Sequence, residues 1–272
     1  MIETVAVITG GAGGMGLAVA KILGREHRVL IADLQQSRLD AAQAELKDLG
    51  VNCDTAICDV TDTASVSALF AQATGLGRVA CVIHTAGVSP QMAPPEVIIR
   101  VNGLGTINIA NAALEIASEG MALINVASNS AHMLPGIMVP TRAFRHAFTD
   151  PERFVEKVLK RSNLMRKDFY KKGLAYAFSK SFVLWYSRQI AADFGKLGAR
   201  VLSVSPGSFD TEMGRLEEKS GSADMLKDAA LKRFGRPEEI AEVLAFCASD
   251  KASYLTGTDI LCDGGVIAGK RG

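Results

Sequence analysis

The sequence predicts an α/β protein built on one doubly wound parallel sheet with helices on both faces. Two observations carry this. Short β-branched runs alternate along the whole chain with longer segments of helical period, which is the pattern of parallel strands joined by crossover helices. A glycine-rich turn separates the first such run from the first helical segment. No linker, low-complexity tract or internal repeat interrupts the alternation, so residues 1–272 read as a single domain.

The elements follow in order. Residues 5–8 form the first strand, 16–23 a helix and 28–32 the second strand. Leu39, Ala42, Leu46 and Leu49 then recur at helical steps, and Gly50 stands where a helix stops. Further strands fall at 53–58, 79–83, 123–126, 200–204 and 258–262. Pro237, Glu238 and Glu239 open a helix whose apolar face is Ile240, Val243, Leu244 and Cys247. The rhythm breaks between Val126 and Tyr176. Residues 132–173 are too long for a plain loop in a compact domain. Asp150-Pro151-Glu152 looks like a helix start there, and Phe154, Val158, Met165 and Phe169 follow at helical spacing. The segment reads as a helical insertion.

Bulk composition excludes several classes. The chain is 48% hydrophobic and 22% charged with a net charge of +1, so it has material for a core and no general attraction to nucleic acid or an anionic membrane. The amino terminus, MIETVAVITGG, enters the first strand with no signal-peptide pattern, and no uninterrupted apolar run reaches membrane-spanning length. Five cysteines without a CxxC pair suggest reduced, mostly buried thiols and a cytoplasmic protein. His27, His84, His132 and His146 are too scattered to suggest a metal site.

The turn is Thr9-Gly10-Gly11-Ala12-Gly13-Gly14-Met15-Gly16. A chain that bends sharply and brings backbone N–H groups against a pyrophosphate has no room for side chains, and the following helix offers its positive end to the phosphates. Position between the first strand and first helix makes this a dinucleotide site. Asp33 ends the second strand, 17 residues beyond Gly16, where a carboxylate accepts from both adenosine-ribose hydroxyls and repels a 2′-phosphate. The expected cofactor is NAD. Asp59-Val60 after the third strand is placed to hold the adenine edge, or Asp59 caps the helix opening at residues 61–63.

Of the four tyrosines only Tyr176 has a lysine four residues on, Lys180. That spacing sets phenol and ammonium side by side on one helix face, where the positive charge favours the phenolate that proton transfer requires. Ser128 ends an apolar strand, in reach of a substrate oxygen, with Ser130 a competitor for the role. Asn102 lies in mid-helix, where asparagine is a poor helix former.

Taken together, TGGAGGMG, Asp33, Asp59-Val60, HTAG, Asn102, Ser128, YAFSK, SPGSFDT and the ending GRPEEIAEVLAFCASDKASYLTGTDILCDGG resemble the short-chain dehydrogenase/reductase family over nearly the whole chain. The resemblance implies a Rossmann fold and a tetrad of Asn102, Ser128, Tyr176 and Lys180. Tyr176 would be the acid in reduction and the base in oxidation. Ser128 would bind the substrate oxygen, Lys180 would hold the nicotinamide ribose, and Asn102 would position a relay water. It implies cofactor contacts at Gly10, Gly14, Met15, Gly16, Asp33, Leu34, Asp59, Val60, Ala86, Gly87, Tyr176, Lys180, Pro206, Gly207, Phe209 and Thr211.

Two departures stand out. His84 opens HTAG where the family has asparagine in NNAG; that asparagine braces the sheet, so His84 is expected as a hydrogen-bonded, partly buried histidine and not a catalytic base. The insertion before Tyr176 is similar to that of the bacterial 3α-hydroxysteroid dehydrogenase/carbonyl reductase subgroup, implying a steroid-like or other bulky apolar substrate. From Arg142 to Lys172 it carries ten basic against four acidic residues, the composition of a solvated face, a lid or an interface element. The expected activity is hydride transfer between NAD(H) and a small-molecule carbonyl or secondary alcohol, in a homodimer or homotetramer. The alternatives are a non-catalytic NAD-binding regulatory module and an NAD-dependent epimerase or dehydratase.

Overall fold

The computed structural model describes residues 3–218 and 226–270. Seven parallel strands form one sheet in the order β3-β2-β1-β4-β5-β6-β7. They are β1 (Thr4–Thr9), β2 (Arg28–Asp33), β3 (Cys53–Ile57), β4 (Arg78–His84), β5 (Ala122–Val126), β6 (Arg200–Pro206) and β7 (Asp259–Cys262). The central strands are near-continuous runs of valine, isoleucine and leucine because both of their faces are covered. One face packs Ala6, Ile8, Ile31 and Ile124 against α1 (Gly14–Leu23), α2 (Gln36–Asp48) and α10 (Pro237–Ala248). The other packs Val5, Val7, Val82, Leu123 and Val201 against α3 (Thr63–Leu76), α5 (Gly105–Glu115) and α8 (Asp168–Lys196). The Rossmann-type fold expected from the alternation is the one observed.

This topology places the site. The chain runs outward from β1 through β2 to β3 and then returns across the sheet to β4, so the connections leaving β1 and β4 diverge to opposite sides. Ligands of open α/β sheets bind in the crevice at that switch point, beyond the carboxyl ends of the strands.

Asn102 has its structural reason. Between α4 (Pro95–Ile99) and α5 the helix widens into a π-helical turn, Arg100–Leu104, and Asn102 sits inside it. A π turn drops the ordinary i−4 bonding locally and is a frequent device at functional sites. The whole helical stretch, residues 95–115, is long and apolar enough by length and composition to cross a bilayer, but Glu96, Arg100 and Asn102 interrupt its apolar run and most of its apolar part is buried inside this fold.

Residues 132–173 fold as short turns, α6 (Thr141–Phe144), α7 (Pro151–Ser162) and the start of α8. Asp150 caps α7 by accepting from Arg153 N at 3.0 Å, with Pro151 in the first turn. Phe154, Val155 and Val158 are buried and belong to the main core. The Phe154 ring centroid is 4.3 Å from that of Phe182 on α8, and a Cβ on Gly103 would lie 2.9 Å from the Phe154 ring. The expected four-residue stripe is corrected here. α7 ends at Ser162 and the chain turns before α8, so the helical phase is lost, and Met165 (36% exposed) and Phe169 (61%) face outward.

Candidate active site

The glycine turn closes on itself. Gly10 and Gly14 have φ of +66° and +51°, and a Cβ on Gly16 would lie 2.3 Å from the Gly10 carbonyl oxygen. A Cβ on Gly10 would lie 2.8 Å from Ala86 N, so the turn is pressed against the loop leaving β4. Met15 packs its side chain towards the sheet. A pyrophosphate approaching the first turn of α1 would meet backbone N–H groups and no acidic side chain.

Asp33 ends β2 and its Oδ1 accepts from Leu34 N at 2.8 Å, while the Leu34 side chain is exposed. Arg38 on α2 lies over Gly13, where a Cβ would be 2.7 Å from its Nη2, and pairs with Glu212 at 3.0 Å. Asp59 does not cap α3. It fixes the preceding turn by accepting from Thr61 N and Thr61 Oγ1, both at 2.8 Å, and Asp62 is the cap, accepting from Ala64 N at 3.0 Å. The Val60 side chain is buried against Gly105, and its carbonyl accepts from Asn108 Nδ2 at 2.9 Å. Its side chain therefore anchors α5.

Tyr176 and Lys180 lie one turn apart on α8. Lys180 is buried; its Nζ donates to Val126 O at 2.9 Å and stands 5.9 Å from the Tyr176 ring centroid. A Cβ on Gly87 would lie 3.1 Å from Asn102 Oδ1 and 3.4 Å from Lys180 Nζ, so the β4 loop passes closely between the two side chains. Asn102 accepts from Val88 N at 2.9 Å through Oδ1 and donates through Nδ2 to Val88 O at 3.0 Å and Ser179 Oγ at 3.1 Å. Its carbonyl oxygen accepts from Thr106 Oγ1 at 2.8 Å. The asparagine side chain thus ties the Gly87-Val88 loop to α8.

β5 ends at Val126, and Ser128 caps a short 3₁₀ turn, Asn129–His132, accepting from Ser130 N at 3.2 Å. Ser130 Oγ is buried with no hydrogen-bond partner among the described residues. At the carboxyl end of β6, a Cβ on Gly207 would lie 2.7 Å from Asp263 Cα, which fixes the turn after Pro206. Thr211 opens α9 (Glu212–Glu218); its Oγ1 accepts from Gly214 N at 3.0 Å, and its Cγ2 would be 3.6 Å from a Cβ on Gly14. The α9 end therefore stands directly over the glycine turn. Phe209 is buried against Gly235, which turns its ring into the fold.

His84 is fully buried, not partly. Its Nδ1 hydrogen-bonds Thr9 Oγ1 at 2.7 Å, whereas Nε2 has no partner among the described residues. Burial, with the Lys180 charge, pushes its pKa down to about 3, so the ring is neutral. Ser179, the partner of Asn102, was missed from sequence, although it lies within the YAFSK motif.

Comparison with known proteins agrees with this geometry. The family model for short chain dehydrogenase matches residues 4–149, and that for Enoyl-(Acyl carrier protein) reductase matches residues 157–267. The chain belongs to the short-chain dehydrogenase/reductase family, whose members are oxidoreductases that bind nicotinamide cofactors. It is 30% identical over 263 residues to a short-chain dehydrogenase/reductase of Alternaria brassicicola, covering 95% of this chain and 94% of the other. It is also 30% identical to cis-4-hydroxycyclohexanecarboxylate dehydrogenase of Sinomonas cyclohexanicum, covering 98% and 97%. A solved short-chain dehydrogenase/reductase of Mycobacterium marinum superposes with a TM-score of 0.76 at 26% identity, covering 97% and 95%.

Proposed function

We propose that this protein is an NAD(H)-dependent dehydrogenase of secondary alcohols, or reductase of the matching ketones. The observation that carries the reading is the Tyr176–Lys180 pair on one face of α8, beside Gly87 and the loop of β4. The residues present fit a dinucleotide, because the turn at Gly10, Gly14 and Gly16 brings backbone to the start of α1 with no side chains of its own there, and the Arg38 guanidinium lies beside Gly13. The nicotinamide, when bound, supplies or accepts the hydride. Asp33 and the uncharged Leu34 beside it support NAD over NADP, since a 2′-phosphate would meet a carboxylate.

In reduction, the substrate carbonyl oxygen accepts from the Ser128 hydroxyl and from Tyr176. As hydride reaches the carbonyl carbon, the Tyr176 O–H passes its proton to the developing alkoxide. Lys180 lies close enough to the phenolate left behind to stabilise it electrostatically. Oxidation reverses each step, with the Tyr176 phenolate taking the alcohol proton. A relative named for a ring-borne secondary alcohol supports a substrate of that class.

The test is NADH formation, followed by absorbance, with cis-4-hydroxycyclohexanecarboxylate, D-threitol and a 3α-hydroxysteroid. Turnover with NAD that Tyr176→Phe abolishes supports the reading. Turnover with NADP at equal efficiency removes the cofactor assignment, and no turnover of any alcohol or ketone removes the activity.

A further inference from the structure

A buried row of polar side chains crosses the sheet under the site. Register pairs Thr9 of β1 with His84 of β4, and His84 with Asn125 of β5. Residues in register on parallel strands point to the same face, here the face covered by α8. All three are at most 2% exposed, in an environment where an unpaired polar atom is costly. Two atoms in the row lack a partner among the described residues, His84 Nε2 and Asn125 Oδ1, and they belong to adjacent side chains.

The donor and acceptor capacity of each group favours one direction for the remaining bonds. Ser187 Oγ donates to Val183 O at 2.8 Å, so it must accept from Asn125 Nδ2 at 3.0 Å, which leaves Oδ1 as the asparagine atom turned elsewhere. At the other end, Thr9 Oγ1 accepts from Ala86 N at 3.4 Å; its buried hydroxyl proton also needs an acceptor, and among the described residues His84 Nδ1 at 2.7 Å is the one placed to take it. A neutral imidazole that accepts at Nδ1 carries its proton on Nε2. One unpaired donor therefore sits beside one unpaired acceptor.

We infer that His84 is the Nε2-protonated neutral tautomer and donates through one internal water to Asn125 Oδ1, acting as a positioning residue for the catalytic helix. A water needs two or more polar partners to be held in a protein interior, and these two atoms supply them. The completed chain runs from the Ala86 N–H through Thr9, His84, the water, Asn125 and Ser187 to the Val183 carbonyl. Tyr176, Lys180, Val183 and Ser187 recur at steps of four, three and four on α8, so they share one helix face. The chain thus clamps the face that carries the catalytic pair to the loop that flanks Gly87. The kinetic part of this inference rests on the proposed dehydrogenase activity; the tautomer does not.

The decisive measurement on the unaltered protein is the imidazole ¹⁵N–¹H NMR spectrum of His84 at pH 7, assigned by the loss of its signals in His84→Asn. The inference expects a protonated Nε2 and an unprotonated Nδ1; a proton on Nδ1, or a ring protonated on both nitrogens, overturns it. Asn125→Leu keeps the shape and removes the acceptor. With cis-4-hydroxycyclohexanecarboxylate and NAD it is expected to lower kcat by about tenfold, since small misplacements of catalytic groups are costly, and to leave the KM for NAD within about twofold. Unchanged kcat in a folded Asn125→Leu variant overturns the positioning role. If no substrate turns over, the proposed function fails, while the NMR result still decides the chain.

Discussion

Phe154→Ala and Phe169→Ala form a matched pair that separates a core element from an appendage. Both phenylalanines lie in the segment before Tyr176, and both fall on the same helical spacing in the sequence. In the structure Phe154 is fully buried, with its ring 4.3 Å from Phe182 and 6.2 Å from Phe144, while Phe169 is 61% exposed. Truncating a fully buried phenylalanine costs about 3–5 kcal/mol, and the lost ring pairs fall within that range. The cavity left against the π turn has little chance to collapse, because Gly103 has no side chain to move into it. For a chain of this size, about 4 kcal/mol corresponds to a fall in Tm of roughly 8–16 °C, at about 2–4 °C per kcal/mol. Phe169→Ala should move Tm by less than about 2 °C, as surface changes do. The assay is thermal unfolding followed by circular dichroism at one heating rate. A Phe154→Ala variant that melts within about 3 °C of the parent protein would refute the claim that α7 is part of the main core.

Tyr176→Phe removes only a hydroxyl, so dinucleotide affinity measured by NADH fluorescence should hold while kcat falls roughly 10²–10⁴-fold. Ser128→Ala should lose most of the activity and Ser130→Ala much less; the reverse order in a steady-state assay would reassign the substrate serine. Asp33→Ala should narrow the preference for NAD over NADP, chiefly through KM, and an unchanged ratio would remove Asp33 from the ribose site. His84 should make the protein acid-sensitive. Its folded pKa of about 3 lies below the ordinary value of 6.5, so below pH 6.5 the unfolded chain binds the extra proton and stability falls. The slope is about 1.4 kcal/mol per pH unit, and urea unfolding between pH 6 and 4.5 should show it diminished in His84→Asn.

Local patterns in the sequence were sufficient for the fold and for most of the site. The glycine turn, Asp33 and the Tyr176–Lys180 spacing each express a requirement that neighbouring residues satisfy among themselves, so they are legible without a structure. Asn102 is conspicuous as a poor helix former, but nothing in one dimension shows a π turn, or that its side chain reaches Val88 and Ser179 from within it. The same limit explains Asp59 and Val60. Choosing between Asp59 and Asp62 as a cap depends on where α3 begins, and the packing of the Val60 side chain under α5 joins residues far apart in sequence. The Met165 and Phe169 positions misled for another reason. A spacing of three or four continues across a break between helices by coincidence, whereas the turn after Ser162 resets the direction each side chain faces.

The order of the strands has a consequence for how the protein is made. β1 finds its inner partner only when β4 has been synthesised, and β5 pairs with β6 across a gap that contains α6, α7 and all of α8. As the chain leaves the ribosome, residues up to Val126 can assemble five strands with their glycine turn. Until α8 emerges, Leu123 on β5 lacks the helix that packs across β5 and β6 with its ridge of Phe178, Phe182, Tyr186 and Ile190. A nascent chain stalled there would display a broad apolar surface, the kind that chaperones bind and that aggregates when they are absent. The helix that carries Tyr176 and Lys180 is therefore also the one whose arrival lets that side of the sheet close, so translation must pass residue 196 before the protein is safe from its own core.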